Sequence, residues 1–213
     1  MLDKEFFNRN TIDVAKDLLG KIIVHKRDDI IYKAKIVETE AYLGIEDRAA
    51  HTYNNKKTNR NKIMYMDGGT TYVYLTYGMH YMLNIVSRGV DYPEAVLIRA
   101  VEVLNEIDRI SINRFGKVYE DLSNYQKRNL SNGPGKLTKA LEIDKALNGK
   151  NVFSNEFYIE DNDEIFDIVV DKRIGIDYSK EAVDYPYRFY IKDNPNVSVF
   201  KKDESCWFHP ILS

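Results

Sequence analysis

Three runs with strand periodicity, Thr70–Thr76, Tyr81–Ser87 and Ala95–Val101, follow one another mid-chain with no helix-length segment between them. Parallel neighbours need a crossover of a dozen or more residues, so connections this short demand antiparallel pairing. Tyr77-Gly78-Met79-His80 reads as the turn of a hairpin between the first two runs. Lys21–His25 and Tyr32–Tyr42 add two strands around a turn at Asp28-Asp29. Helical patterns fall at the margins of this strand cluster. Asn10 and Asp13 resemble a capping box ahead of the stripe Ile12, Ala15, Leu18, Leu19, which stops at Gly20. Leu104, Ile107 and Ser111 suggest a helix over residues 103–114. Pro134 suits the first turn of another, which carries Leu137, Ala140 and Leu141. Residues 52–62 and 116–132 read as polar and irregular, and 154–171, 173–176 and 188–192 as later strands and turns. The expected fold is α+β: a single domain over 1–213, with a largely antiparallel curved sheet, peripheral helices and a protruding β-hairpin.

No apolar run approaches the roughly 18–20 residues of a membrane span. The start, Met1-Leu2-Asp3-Lys4-Glu5, lacks the basic-then-apolar pattern of a secretion signal. A lone cysteine, Cys206, forbids an internal disulfide and fits a reducing compartment. A soluble, cytoplasmic protein is expected. Cys206 and His209 are one pair without partners, so no metal site is expected. The net charge of −2 conceals segregation. Lys56, Lys57, Arg60 and Lys62 lie in a stretch without an acid, while seven acids and no base occupy 154–171. Such a distribution permits one positive face, or merely solvated loops.

Residues 36–51 read Ile-Val-Glu-Thr-Glu-Ala-Tyr-Leu-Gly-Ile-Glu-Asp-Arg-Ala-Ala-His. Strand alternation puts Glu38, Glu40 and Tyr42 on one face and Val37, Thr39 and Ala41 on the other, up to a turn at Gly44. Carboxylates beside an aromatic surface suit a site that holds a flat ring and performs acid–base chemistry on it. A salt bridge or hydrogen bond to a neighbouring strand is the expected role of Glu38. Tyr72 is expected in the core with its hydroxyl bonded. Tyr77, beside a turn glycine and a basic loop, is open between packing and protruding. Lys136 is open between a phosphate contact assisted by helix-start amides and a solvated helix position.

The chain resembles the alkyladenine (3-methyladenine) DNA glycosylases of the single-domain vertebrate and bacterial type. The resemblance rests on Val37-Glu38-Thr39-Glu40-Ala41-Tyr42-Leu43-Gly44, on Ala49-Ala50-His51, and on Tyr72-Val73-Tyr74 through Tyr77-Gly78-Met79. Asn84-Ile85, Leu97-Ile98-Arg99-Ala100, Gly133-Pro134-Gly135-Lys136-Leu137 and Arg188-Phe189-Tyr190 extend it, from about Phe6 to Ser198. It differs at His80, at a two-residue insertion within Arg88–Pro93, and in the tail Cys206–Ser213.

The resemblance implies that Glu40 activates the attacking water and that Arg99 lies near that water and the target phosphate. It implies that Tyr42, His51 and Tyr74 sandwich an extruded base, and that Asn84 crowds the exocyclic amino group of guanine. Tyr77 would fill the vacated stack, and Lys56, Thr58 and Arg60 would meet the DNA backbone, with Lys136 as a further backbone candidate. The implied partner is double-stranded DNA containing damaged purines, bound by a monomer without cofactor or metal. The implied reaction is monofunctional excision of alkylated or deaminated purines such as 3-methyladenine, hypoxanthine and ethenoadenine. Two rivals remain at this level: a lesion-binding protein that does not cleave, and a hydrolase of free nucleosides.

Overall fold

The structure is a computed structural model and describes residues 1–200. The tail Cys206–Ser213, with His209, lies outside the described residues. Eight strands form one antiparallel sheet: β1 (Ile22–Arg27), β2 (Ile30–Tyr42), β3 (Thr71–Thr76), β4 (His80–Ser87), β5 (Glu94–Val103), β6 (Phe157–Glu160), β7 (Ile168–Asp171) and β8 (Arg188–Ile191). The main order is β3-β4-β5-β2-β1-β6, and β8 joins β2 to β7. This is the α+β, curved antiparallel architecture expected from the strand cluster. No helix of the described residues is long and apolar enough to cross a membrane.

The thirteen-residue β2 organises the rest. One edge pairs with β5 along most of its length. The other edge pairs with β1 through Lys35 and then with β8 from Glu38 to Glu40. Where the neighbour changes, the register against β5 slips between Ile36 and Thr39. Such irregularities increase local twist and re-aim side chains. With both edges paired, Ile36 through Ala41 are all buried, carboxylates included.

Helices cover the sheet. α1 (Lys4–Phe7) and α2 (Thr11–Asp17) lead the chain, and Asn10 caps α2 by accepting from Ile12 N at 2.9 Å. Val14, Ala15 and Leu18 enter the core, and Thr39 Oγ1 donates to Ala15 O at 2.7 Å. α3 (Ile107–Phe115) and α5 (Pro134–Ala140) pack against each other, and α5 also packs on β4 and β5. The segment read as irregular before α5 contains a further helix, α4 (Asn124–Arg128). Ser123 and Gln126 close a reciprocal capping box there, a signal present in the sequence but masked by polar surroundings.

The hairpin of β3 and β4 turns at Tyr77 and Gly78, both with positive φ (50° and 68°). Left-handed residues at the centre of a turn match strand twist, and Met79 completes the three-residue connection between Thr76 and His80. Beside the turn α5 comes so close that a Cβ on Gly135 would lie 2.8 Å from His80 Cβ, which keeps that position to glycine. The insertion region forms the connection between β4 and β5, where Arg88 N donates to Phe7 O at 2.9 Å. Four of the seven acids of 154–171 are paired: Glu160 with Lys33, Asp161 with Lys21, Glu164 with Lys35 and Asp171 with Arg188.

Candidate active site

Glu40 lies on β2 with no solvent exposure, and three donors hold its carboxylate. Oε1 accepts from Arg99 Nη1 at 3.2 Å and from the backbone N–H of Ile174 at 2.8 Å. Oε2 accepts from the Tyr42 hydroxyl at 2.9 Å. Arg99 enters from β5, so the site is assembled from adjacent strands and a distant loop. Burial pulls the Arg99 pKa down, but Glu40 and Glu38 outweigh it and leave it raised. A permanent cation therefore lies against the carboxylate. Arg99 Nε lies 3.3 Å from Glu38 Oε1 but without hydrogen-bond geometry.

Glu38 makes the cross-strand ion pair expected of it: Arg188 Nη1 on β8 approaches Oε1 to 2.7 Å. Ser198 adds two bonds, from its N–H to Oε2 at 2.8 Å and from its hydroxyl to Oε1 at 2.9 Å. Arg188 also bonds Asp171 Oδ2 at 2.5 Å and Val199 O at 2.8 Å. An unpaired buried carboxylate would be costly, and this one is fully engaged.

Next to this layer a pocket opens to solvent. Its inner part is made by buried Tyr72, Asn84, Met64 and Ala95, and Tyr42, Tyr74 and His51 form walls. Tyr72 and Tyr74, two apart on β3, have ring centroids 5.2 Å apart. The His51 ring meets Tyr74 edge-on at 4.7 Å, and its Nδ1 is 2.9 Å from the Tyr72 hydroxyl. Crowding by protein and then the nearby Arg60 push the His51 pKa down to about 4, so the ring is neutral at pH 7. Burial raises the Tyr42 phenol well above its usual range, as does Glu40, and Tyr42 keeps its proton as a donor. Asn84 Nδ2 donates to Tyr72 O at 3.1 Å, tying β4 to β3 at the pocket. Tyr72 is buried as expected, yet it also lines the pocket.

The structure thus brings Glu40, Arg99, Tyr42, His51, Tyr74 and Asn84 together. Tyr77 stands apart at the hairpin tip, 88% exposed, and does not line the pocket. Lys56, Thr58 and Arg60 line an adjoining open cleft with His51. Asn61 ties that loop down by donating to Lys56 O at 2.7 Å and His51 O at 2.9 Å. Thr58 turns its hydroxyl to Asn61 Oδ1 at 3.0 Å, and the Arg60 guanidinium lies 4.9 Å from the Tyr74 ring centre. Lys136 directs its ammonium at Asn129 Oδ1 (2.6 Å) and Asn132 Oδ1 (2.9 Å). Burial, and then Arg114, lower its pKa.

Sequence reasoning missed the loop that follows β7. There Arg173 forms a fully buried two-pronged ion pair with Asp47, at 2.5 and 2.8 Å, and also donates to Ala41 O at 2.9 Å. Its guanidinium lies 4.7 Å from the Tyr42 ring centre. Asp47 in turn accepts from Leu43 N and Ala49 N, both at 3.0 Å, and so fixes the descent from β2 to His51. Gly44 begins that descent with φ +70°, and a Cβ there would approach Pro93 O to 3.1 Å. Arg173-Ile174 carries no periodic signal that could have announced an ion pair reaching back to Asp47. Tyr178, from the same loop, was also missed and lines the pocket.

A buried carboxylate beside a guanidinium, next to an aromatic-walled pocket, can activate water against a ligand held in that pocket. Comparison with known proteins agrees with that chemistry. Residues 5–195 match the family model of methylpurine-DNA glycosylase (MPG). A Clostridium novyi protein provisionally named a 3-methyladenine DNA glycosylase is 56% identical over 197 residues, 92% of this chain and 98% of its own. Similarly named proteins of Clostridium perfringens and Clostridioides difficile are 52% and 48% identical, covering 92% and 90% of this chain and 98% and 100% of theirs.

Proposed function

The chain belongs to the methylpurine-DNA glycosylase family, and on that premise we propose that it is a monofunctional DNA glycosylase of base excision repair which removes alkylated or deaminated purines of the 3-methyladenine, hypoxanthine and ethenoadenine type. The observation that carries the reading is Glu40, held by Arg99, Ile174 and Tyr42 beside an aromatic pocket.

A base inside a duplex is out of reach, so the damaged nucleotide must leave the stack at a cost of a few kcal/mol. Tyr77, exposed at the hairpin tip, fills the gap, and stacking returns roughly 1–3 kcal/mol per base. The extruded purine enters between Tyr42, His51 and Tyr74, where a cationic alkylated ring gains from electron-rich faces. Neutral His51 adds no repulsion to such a cation. Asn84, fixed by its bond to Tyr72 O, disfavours guanine by crowding its exocyclic amino group.

As the bond from C1′ to the base nitrogen breaks, its electron pair leaves with the base and positive charge develops on the sugar. Glu40 stabilises that charge and takes a proton from the water whose oxygen bonds to C1′. An alkylated cation leaves as a neutral base, whereas hypoxanthine must also gain a proton. Arg99 orients Glu40 and faces the target phosphate. Lys56, Thr58 and Arg60 meet the backbone beside the pocket, with Lys136 across the hairpin. The substrate is duplex DNA, bound by a monomer.

The test is abasic-site formation in an end-labelled duplex with one hypoxanthine or ethenoadenine, read by alkaline cleavage. Wild type should cleave, and Glu40→Gln should bind the same duplex without cleaving. Cleavage by Glu40→Gln at the wild-type rate would sink the assignment of the base. Binding without cleavage by wild type, on alkylated DNA as well, would leave a lesion-binding protein.

A further inference from the structure

The loop Asp177–Asp184 puts the phenol of Tyr178 at the mouth of the aromatic pocket, at the opposite extreme of exposure from Tyr72 at its inner end. Tyr72 is 1% exposed, whereas Tyr178 is 68% exposed although it lines the same pocket. A tyrosine that forms a pocket wall yet shows most of its surface to solvent occupies the rim, where an incoming ligand would cover it.

Its position is also held in advance. Lys180, two residues on, takes φ 51° and ψ −124°, a conformation outside the ordinary range for a side chain of its kind. The turn that imposes it is fastened at several points. Ser179 Oγ donates to Ile176 O at 2.6 Å, and Glu181 pairs with Arg48 at 2.6 Å. Ala182 and Ile176 pack on Ala49 in a small apolar cluster of their own. The phenol itself reaches Ala49 O at 3.4 Å, a long bond that is easily exchanged for a better partner.

Direction adds the third argument. Packing raises the pKa of the phenol, and the charges felt there include those of Arg173, Asp47 and Glu40 and the phenol of Tyr77. Tyr178 therefore stands within electrostatic reach of both the buried carboxylate and the hairpin tip. With a base in the pocket, the sugar that carries it lies at the mouth, where exposed Tyr178 forms part of the lining.

We propose that Tyr178 is a substrate-contacting residue that closes over the deoxyribose of the extruded nucleotide and slows its return to the helix. The proposal rests on the glycosylase reading above. The ring packs on the sugar face, and the hydroxyl plays no essential part. Tyr178 thus acts on retention, and Glu40 on bond cleavage.

The experiment is a chase. Enzyme is mixed with a labelled ethenoadenine duplex, excess unlabelled duplex is added, and the bound complex partitions between excision and release. Tyr178→Ala should lower the committed fraction and raise KM about tenfold, the scale of one lost stacking partner. Its single-turnover rate at saturating enzyme should stay within about threefold of wild type. Tyr178→Phe should behave as wild type, and thermal unfolding should show both variants folded. Wild-type partitioning by Tyr178→Ala would overturn the proposal, as would a loss of the saturating rate with partitioning unchanged. A wild-type enzyme that binds the duplex but excises nothing would overturn the glycosylase reading instead.

Discussion

The Tyr42 hydroxyl donates to Glu40 Oε2 across 2.9 Å, from two residues further along the same strand. A strand face that alternates Glu and Tyr can thus supply both a base and the donor that orients it. Burial, reinforced by Glu40, keeps the phenol protonated, so the arrangement persists through the neutral range. Tyr42→Phe keeps the ring and removes that donor. Single-turnover excision should fall about tenfold, the value of one hydrogen bond to a charged group, with duplex affinity little changed. An unaltered rate would separate Tyr42 from the chemistry.

Arg173 and Asp47 share with Arg188 and Glu38 the deepest burial of the ion pairs described, with side-chain exposures of 0% and 2%. Removing one partner of such a pair strands the other, at a cost of about 3–5 kcal/mol. Asp47→Asn should therefore lower the urea midpoint markedly. Arg173→Lys should do the same, because an ammonium cannot reproduce the two-pronged fork. Midpoints within error of wild type would remove this pair from the account of stability.

His51 ties stability to pH. The folded protein keeps its ring neutral down to about 4, whereas an unfolded chain takes up that proton near 6.5. Between those values the unfolded state binds more protons, so stability is complete above the window and falls as pH drops through it. Burial lowers the pKa of His25 as well, in the same sense. Urea titrations at pH 7 and pH 5 should show the decline, and His51→Gln should make it shallower. An imidazole NMR titration placing His51 near 6.5 would contradict the neutral wall.

Salt dependence distinguishes the cations. Each phosphate contact contributes about one unit to the slope of log affinity against log salt. Exposed Lys56 should contribute that unit, and Lys56→Ala should remove it. Lys136 spends its ammonium on Asn129 and Asn132, so Lys136→Met should change the slope by less. Equal slopes for both variants and wild type would take the loop away from the DNA.

The hairpin, the Glu38–Glu40–Tyr42 face and the N-terminal cap of α2 were legible in the sequence because each is a local pattern. Period-two alternation, a turn glycine and a capping residue act over a few positions and leave their mark there. The switch of β2 from β1 to β8 was not legible, because pairing partners far along the chain leave no periodic trace. The same holds for Arg173 on Asp47 and for Ile174 N on Glu40, which join segments 126 and 134 residues apart. Tyr178 escaped notice since one tyrosine among sixteen carries no sign of where its loop will return.

Ser198 and Arg188 bond Glu38 from 160 and 150 residues away, and Arg99 stands between Glu38 and Glu40. Nearly two hundred residues must therefore leave the ribosome before the carboxylate layer can close. A nascent chain that has finished the hairpin and basic loop still lacks the last supports of its chemistry. Competence arrives late in synthesis, all at once, with the docking of the final strand and the short segment behind it.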